Sequence, residues 1–160
     1  MKAKSDALRL LSFRPRSVEE LRGKLRVKKY APGTIDNVIE VLRKQGLLDD
    51  EKFAKLYSNA RVHASPRGIR QVEQELKKKG LSNDLIQRTV ANLHDYDEKK
   101  TAYELAHRRF EKMTGISAVK KKTRIYGLLK RRGFQTDVIF AVLKDLFQGI
   151  SEHEMTDDNG

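Results

Sequence analysis

A chain of 160 residues with 38% hydrophobic and 35% charged side chains holds enough apolar material for thin helical cores but not for a large buried sheet. The absence of cysteine excludes a disulfide framework, thiolate metal sites and a thiol nucleophile. The formal net charge of +12 is uneven, +5 over residues 1–50, +4 over 51–100, +7 over 101–148 and −4 over 149–160, and such a basic body attracts phosphate backbones or acidic protein surfaces.

Apolar residues recur at spacings of three and four throughout, and no sustained alternation is flanked by hairpin turns, so the pattern predicts an all-α protein. Lys2, Lys4, Asp6 and Arg9 interrupt the first eleven residues, which therefore lack a secretory apolar region. No stretch approaches the roughly 20 apolar residues of a membrane span, and a cytoplasmic protein is expected. Ser5 is placed to cap a first helix running to about Ser12, with a break at Arg14-Pro15-Arg16. Ser17 and Glu20 have capping-box spacing for a second helix to about Lys29. Pro32, Gly33 and Thr34 form the turn into a third helix, with Ile35, Val38, Ile39 and Leu42 as its buried stripe and Gly46 as a left-handed C-cap.

Asp49 or Asp50 caps the next helix, which carries Phe53, Leu56 and Tyr57. Ser65 and Pro66 open another, with proline at the first helical position. Gly80 ends it, and Ser82 starts a helix with Leu85, Ile86, Val90 and Leu93. Asp95 or Asp97 precedes a helix with Tyr103, Leu105 and Phe110; Gly115 breaks it and Ser117 caps its successor. Gly133 repeats the turn of Gly80, and Thr136 with Asp137 opens the last helix through Phe147.

These nine helices repeat in threes. Val18, Leu21, Leu25, Tyr30, Ile35, Ile39 and Leu42 recur 51 residues later as Ile69, Val72, Leu76, Leu81, Ile86, Val90 and Leu93. They recur after 53 more as Lys122, Ile125, Leu129, Phe134, Ile139, Leu143 and Leu146, where only Lys122 is not apolar. The expected fold is three tandem three-helix modules over 1–48, 49–94 and 95–147, in an elongated, curved array, followed by a disordered acidic tail over 148–160. Repeats of this kind offer a surface to a partner rather than a closed catalytic cleft.

Catalysis finds little support. His63, His94, His107 and His153 have no metal-ligand spacing, no phosphate-cradling glycine motif occurs, and Asp49/Asp50 and Glu19/Glu20 sit where carboxylates cap helices. Neither catalytic residue, metal nor cofactor is expected. The basic runs say more: Arg26, Lys28 and Lys29, then Lys77, Lys78 and Lys79, then Lys130, Arg131 and Arg132 follow the anchoring leucines Leu25, Leu76 and Leu129. Cations favour helix C-termini without any ligand. The third module adds Lys120, Lys121, Lys122 and Arg124, with Arg108 and Arg109 on the preceding helix, more charge than capping requires. Lys77, Lys78, Lys79, Arg108, Arg109, Lys120, Lys121, Lys122, Arg124, Lys130, Arg131 and Arg132 are therefore the candidate residues for binding a partner or DNA.

The opening run Asp6-Ala7-Leu8 with Leu10-Leu11-Ser12, Arg14, Ser17, Glu20-Leu21 and Lys24-Leu25 resembles the bacterial RecX family of regulatory proteins. So do Gly46-Leu47-Leu48-Asp49-Asp50-Glu51-Lys52-Phe53-Ala54, Arg67-Gly68-Ile69 with Gln74-Glu75-Leu76 and Lys79-Gly80-Leu81-Ser82, and more loosely Arg132-Gly133-Phe134 with Asp137-Val138-Ile139. The likeness covers residues 5–147. It departs at Lys28-Lys29-Tyr30, where the family has a lysine-glycine turn. The resemblance implies a non-enzymatic protein that binds the groove of the RecA recombinase filament, and a monomer is expected. Inhibition of its ATPase, strand-exchange and coprotease activities in recombination, DNA repair and the SOS response is what it implies functionally. A helical module binding single- or double-stranded DNA directly is the alternative.

Overall fold

The computed structural model describes residues 2–148. Their regular structure is helical: α1 (Lys2–Phe13), α2 (Val18–Val27), α3 (Pro32–Lys44), α4 (Asp50–His63), α5 (Ile69–Lys78), α6 (Asn83–Ala91), α7 (Glu98–Glu111), α8 (Ala118–Arg131) and α9 (Thr136–Phe147). The all-α, tandem three-helix organisation follows the sequence periodicity. Of the acidic tail, all but Gln148 lies outside the described residues.

The chain forms two compact units, one of residues up to Asn59 with Glu73–Leu93, the other of Ala60–Val72 with the chain from His94 onward. In the first, α1, α2 and α3 close around Leu21, Leu25, Ile35, Val38, Ile39, Leu42 and Leu48. In the second, α7, α8 and α9 close around Ile125, Leu129, Phe134, Ile139, Val142, Leu143 and Phe147. Leu25, Leu76 and Leu129 are all fully buried, as their equivalence under the repeat requires. Lys122, the polar exception, is exposed.

A second periodicity runs through the first helix of each module. Ala3 and Ala7, Ala54 and Ser58, and Ala102 and Ala106 stand four apart and are all buried. Small side chains on one face let a helix lie close against its neighbours. Ser58 is the single hydroxyl in this set; its Oγ is buried with no hydrogen-bond partner.

Most helix starts follow the capping residues. Ser17 and Glu20 form the full capping box, and Ser82, Asp97 and Ser117 accept from the N–H groups of Leu85, Lys100 and Lys120. Asp49 rather than Asp50 caps α4, accepting from Glu51 and Lys52, while Asp50 reaches back to the N–H of Val18 at 2.8 Å. Glu19 is no cap: it pairs with Arg22 and Arg26. Three starts differ from expectation, the mildest being α3, where Pro32, Gly33 and Thr34 are already the first helical turn behind Ala31. Ser5 lies inside α1, which is already helical at Lys2.

Pro66 lies before α5 instead of at its first position, and the proline at a helix start is Pro32 of α3. The cause is tertiary. In the second unit, Gly68 N–H donates to the Arg132 carbonyl at 2.9 Å, the Arg132 guanidinium donates to the Pro66 carbonyl at 3.3 Å, and the Tyr96 hydroxyl donates to the Arg67 carbonyl at 2.6 Å. A Cβ on Gly68 would overlap the carbonyl of Gly133, so backbone meets backbone there. In the first unit the equivalent position, Ser17, donates its hydroxyl to the carbonyl of Lys79 at 2.6 Å. Ser17 and Gly68, and Lys79 and Arg132, correspond under the repeat, so one docking contact is used twice.

The turn after each anchoring leucine is also common to the modules. Tyr30, Leu81 and Phe134 donate to the carbonyls of Leu25, Leu76 and Leu129 at 3.2–3.3 Å, the bond that closes a helix through a left-handed residue. Gly80 and Gly133 supply that residue with φ of 81° and 76°. In the first module Lys29 takes it with φ 63°. The turn thus keeps its form despite the Lys28-Lys29-Tyr30 departure, at the steric cost a side chain pays there.

Candidate partner-binding groove

The cations of the basic runs fan around their helices, as residues about 100° apart must, and meet different fates. In the first unit Lys79 turns inward: its Nζ lies 2.6 Å from Glu20 Oε1 and 5.7 Å from the Tyr57 ring centre. Glu20 also takes Arg14 at 2.9 Å and the N–H of Ser17 at 3.3 Å. Burial opposes ionisation of Glu20, yet these hydrogen bonds outweigh it and pull its carboxyl down to about 2. Lys28 pairs with Asp6 and Arg26 with Glu19, whereas Lys77 and Lys78 are exposed.

In the second unit Arg132 is spent on Pro66, and Lys121 lies 4.6 Å over the Phe110 ring. Lys120, Lys122 and Lys130 are exposed. The remaining four candidates converge. Arg108 and Arg109 on α7 and Arg124 and Arg131 on α8 line one open groove of about 900 Å³. Lys112, the C-cap of α7, joins them, and Leu105, Thr123, Gly127 and Leu128 complete the lining.

Local sequence explains the convergence. Arg124, Gly127, Leu128 and Arg131 stand at i, i+3, i+4 and i+7 on one face of α8, and Arg108 and Lys112 stand four apart on α7. Gly127 costs helix stability of about 1 kcal/mol relative to alanine, but its missing side chain opens the floor: Arg131 Nη1 comes within 3.1 Å of where a Cβ would stand. Lys112 was absent from the candidates because no run of cations surrounds it; its spacing from Arg108 was the available signal.

All five cations are exposed, and no carboxylate of the described residues lines the groove. Among the described residues none of the five forms an ion pair, and Arg108 Nε donates only to the carbonyl of Glu104, at 3.3 Å. Like charges held together repel one another, an arrangement that an incoming anion relieves. Guanidinium forks suit phosphate or carboxylate oxygens. The lining includes no histidine or carboxylate for proton transfer, and no cluster of metal-ligating side chains occurs among the described residues. Nor is any helix of the described residues long and apolar enough to cross a membrane.

Comparison with known proteins agrees with the modular plan. The first, second and third three-helix domains of RecX match residues 3–42, 49–90 and 96–143 in that order. The chain belongs to the RecX family. Regulatory protein RecX of Chlorobium phaeobacteroides (strain BS1) is 33% identical over 142 residues, which span 89% of this chain and 91% of that protein. Regulatory protein RecX of Mycolicibacterium smegmatis is 32% identical over 145 residues, 88% of this chain and 77% of the relative. The crystal structure of RecX from Lactobacillus salivarius shares the fold with a TM-score of 0.78 at 24% identity, over 91% of this chain and 94% of that one. A regulatory role comes with RecX membership, and the relatives carry that description in their names.

Proposed function

We propose that this protein is a monomeric, cytoplasmic regulator, without catalytic activity of its own, that binds the RecA nucleoprotein filament and inhibits its ATPase, strand-exchange and coprotease activities in recombination, DNA repair and the SOS response. RecX-family membership over all three modules is the observation that carries this reading. Three modules on one chain let weak contacts with neighbouring filament subunits add through effective concentration. Within the third module, the α7–α8 groove is the contact point: Arg108, Arg109, Lys112, Arg124 and Arg131 take phosphate or carboxylate groups of the filament. Lys120, Lys122 and Lys130 on the same unit, and Lys77 and Lys78 on the other, are also exposed and are further cations for the partner.

The groove favours one other reading, in which the protein binds single- or double-stranded DNA directly through phosphates. Affinity for assembled filament and for the same DNA uncoated, measured at matched salt, separates the two. A filament regulator binds the filament much more tightly. Equal affinity for bare DNA would replace it with the nucleic-acid module.

A further inference from the structure

The α7–α8 groove holds five exposed cations and, among the described residues, no counter-charge, and the chain carries a segment that matches it. Residues 149–160 contain Glu152, Glu154, Asp157 and Asp158 and neither lysine nor arginine. The segment leaves the same compact unit that carries the groove. Helix α9 ends at Phe147, whose ring meets Phe110 edge-on at 5.3 Å between centres. Phe110 shares α7 with Arg108 and Arg109 but points about 100° away from Arg109 and about 160° away from Arg108, so the segment starts from another face of that helix and reaches the groove around it. Gln148 leaves the helix in an extended conformation, with φ −65° and ψ 118°. From Phe147, Glu152 is five residues away, a reach of up to roughly 17 Å, and Asp158 eleven residues, up to roughly 37 Å.

We propose that the acidic segment from Glu152 to Asp158 occupies the α7–α8 groove of its own chain and competes there with outside polyanions. The carboxylates would meet Arg108, Arg109, Lys112, Arg124 and Arg131 as charge-assisted pairs. A segment tethered to the same unit acts at an effective concentration on the order of millimolar. Exposed pairs of this kind are individually weak and salt-sensitive, so the segment tunes access without sealing the groove. A partner with closely spaced phosphates displaces it, and free solutes of low charge do not. Only the consequence for regulation rests on the function proposed above; the docking itself is a property of the chain alone.

Because the protein has no cysteine, a nitroxide on Thr156→Cys reports from one place. In the full chain at low salt, the amide signals of Arg108, Arg109, Lys112, Arg124 and Arg131 should broaden. They should recover when Glu152, Glu154, Asp157 and Asp158 are changed to Gln, Gln, Asn and Asn. Absence of broadening at the groove overturns the proposal. So does broadening carried over when spin-labelled chains are mixed with isotope-labelled chains lacking the nitroxide, since the occupant would then be a second copy. The neutralised chain, without nitroxide, should bind a short oligothymidylate about threefold to tenfold more tightly at low salt, a gain that fades as salt rises. Unchanged affinity would refute competition. The relaxation experiment contains neither nucleic acid nor recombinase, so its failure is distinct from failure of the filament reading.

Discussion

Replacing Ser58 with alanine should make the protein more stable. Ser58 is 0% exposed and its Oγ has no hydrogen-bond partner, while the corresponding residues of the outer modules are Ala7 and Ala106, both also 0% exposed. An unsatisfied buried hydroxyl costs about 1–3 kcal/mol in lost hydration. Alanine also exceeds serine in helix propensity by about 0.5 kcal/mol. Against this stand the dispersion contacts of one oxygen atom, at about 0.1–0.2 kcal/mol each. The net gain for Ser58→Ala is therefore about 1–2 kcal/mol, which for a chain of this size raises Tm by about 2–8 °C. Urea unfolding followed by far-ultraviolet circular dichroism reads it as a higher midpoint at unchanged slope. The reverse substitution, Ala7→Ser, should cost a similar amount. A lower or unmoved midpoint for Ser58→Ala would show that the hydroxyl is satisfied and that the three helices are not equivalent at this position.

Glu20→Gln should cost about 1–2 kcal/mol at neutral pH, after discounting the roughly 3 kcal/mol implied by a carboxyl held at about 2 for partial exposure. The folded carboxyl titrates below the unfolded one, so this contribution is complete above pH ~4.5 and disappears as pH falls toward ~2. Acid titration of stability should show the wild type losing it in that window and Glu20→Gln losing less. Lys29→Gly should stabilise by about 0.5–1 kcal/mol, because relief of a left-handed side chain exceeds the added chain entropy of glycine; thermal melting checks the sign. Reversal of Arg108 and Arg124 to glutamate should weaken oligonucleotide binding and lower its log–log salt slope by about 2 if each contacts one phosphate, with helicity unchanged because both are exposed.

The helices, their caps and the module cores were legible in the sequence because period and capping act within a few residues. Leu25, Leu76 and Leu129 could be found by spacing alone. What escaped depends on partners distant in sequence or on backbone conformation. Lys79 reads as one more surface cation until Glu20, 59 residues earlier, is brought to it. Pro66 has every local mark of a helix start, but the bond from Gly68 to Arg132 holds its segment outside α5. Lys29 carries no mark of a left-handed turn, since the glycine that would signal it is missing. The groove was half visible: Arg108, Arg109, Arg124 and Arg131 stood among the candidates, but nothing in the sequence separated them from Lys79 or Arg132, which are occupied inside the fold.

The central claim is regulation of the recombinase, and DNA-dependent ATP hydrolysis by RecA on single-stranded DNA tests it most directly. The 160-residue protein added below one molecule per RecA should suppress turnover, and the variant with Arg108, Arg109, Arg124 and Arg131 reversed to glutamate should suppress it much less. Turnover that stays at its unregulated rate, under conditions where the protein binds the DNA tightly, would contradict the account.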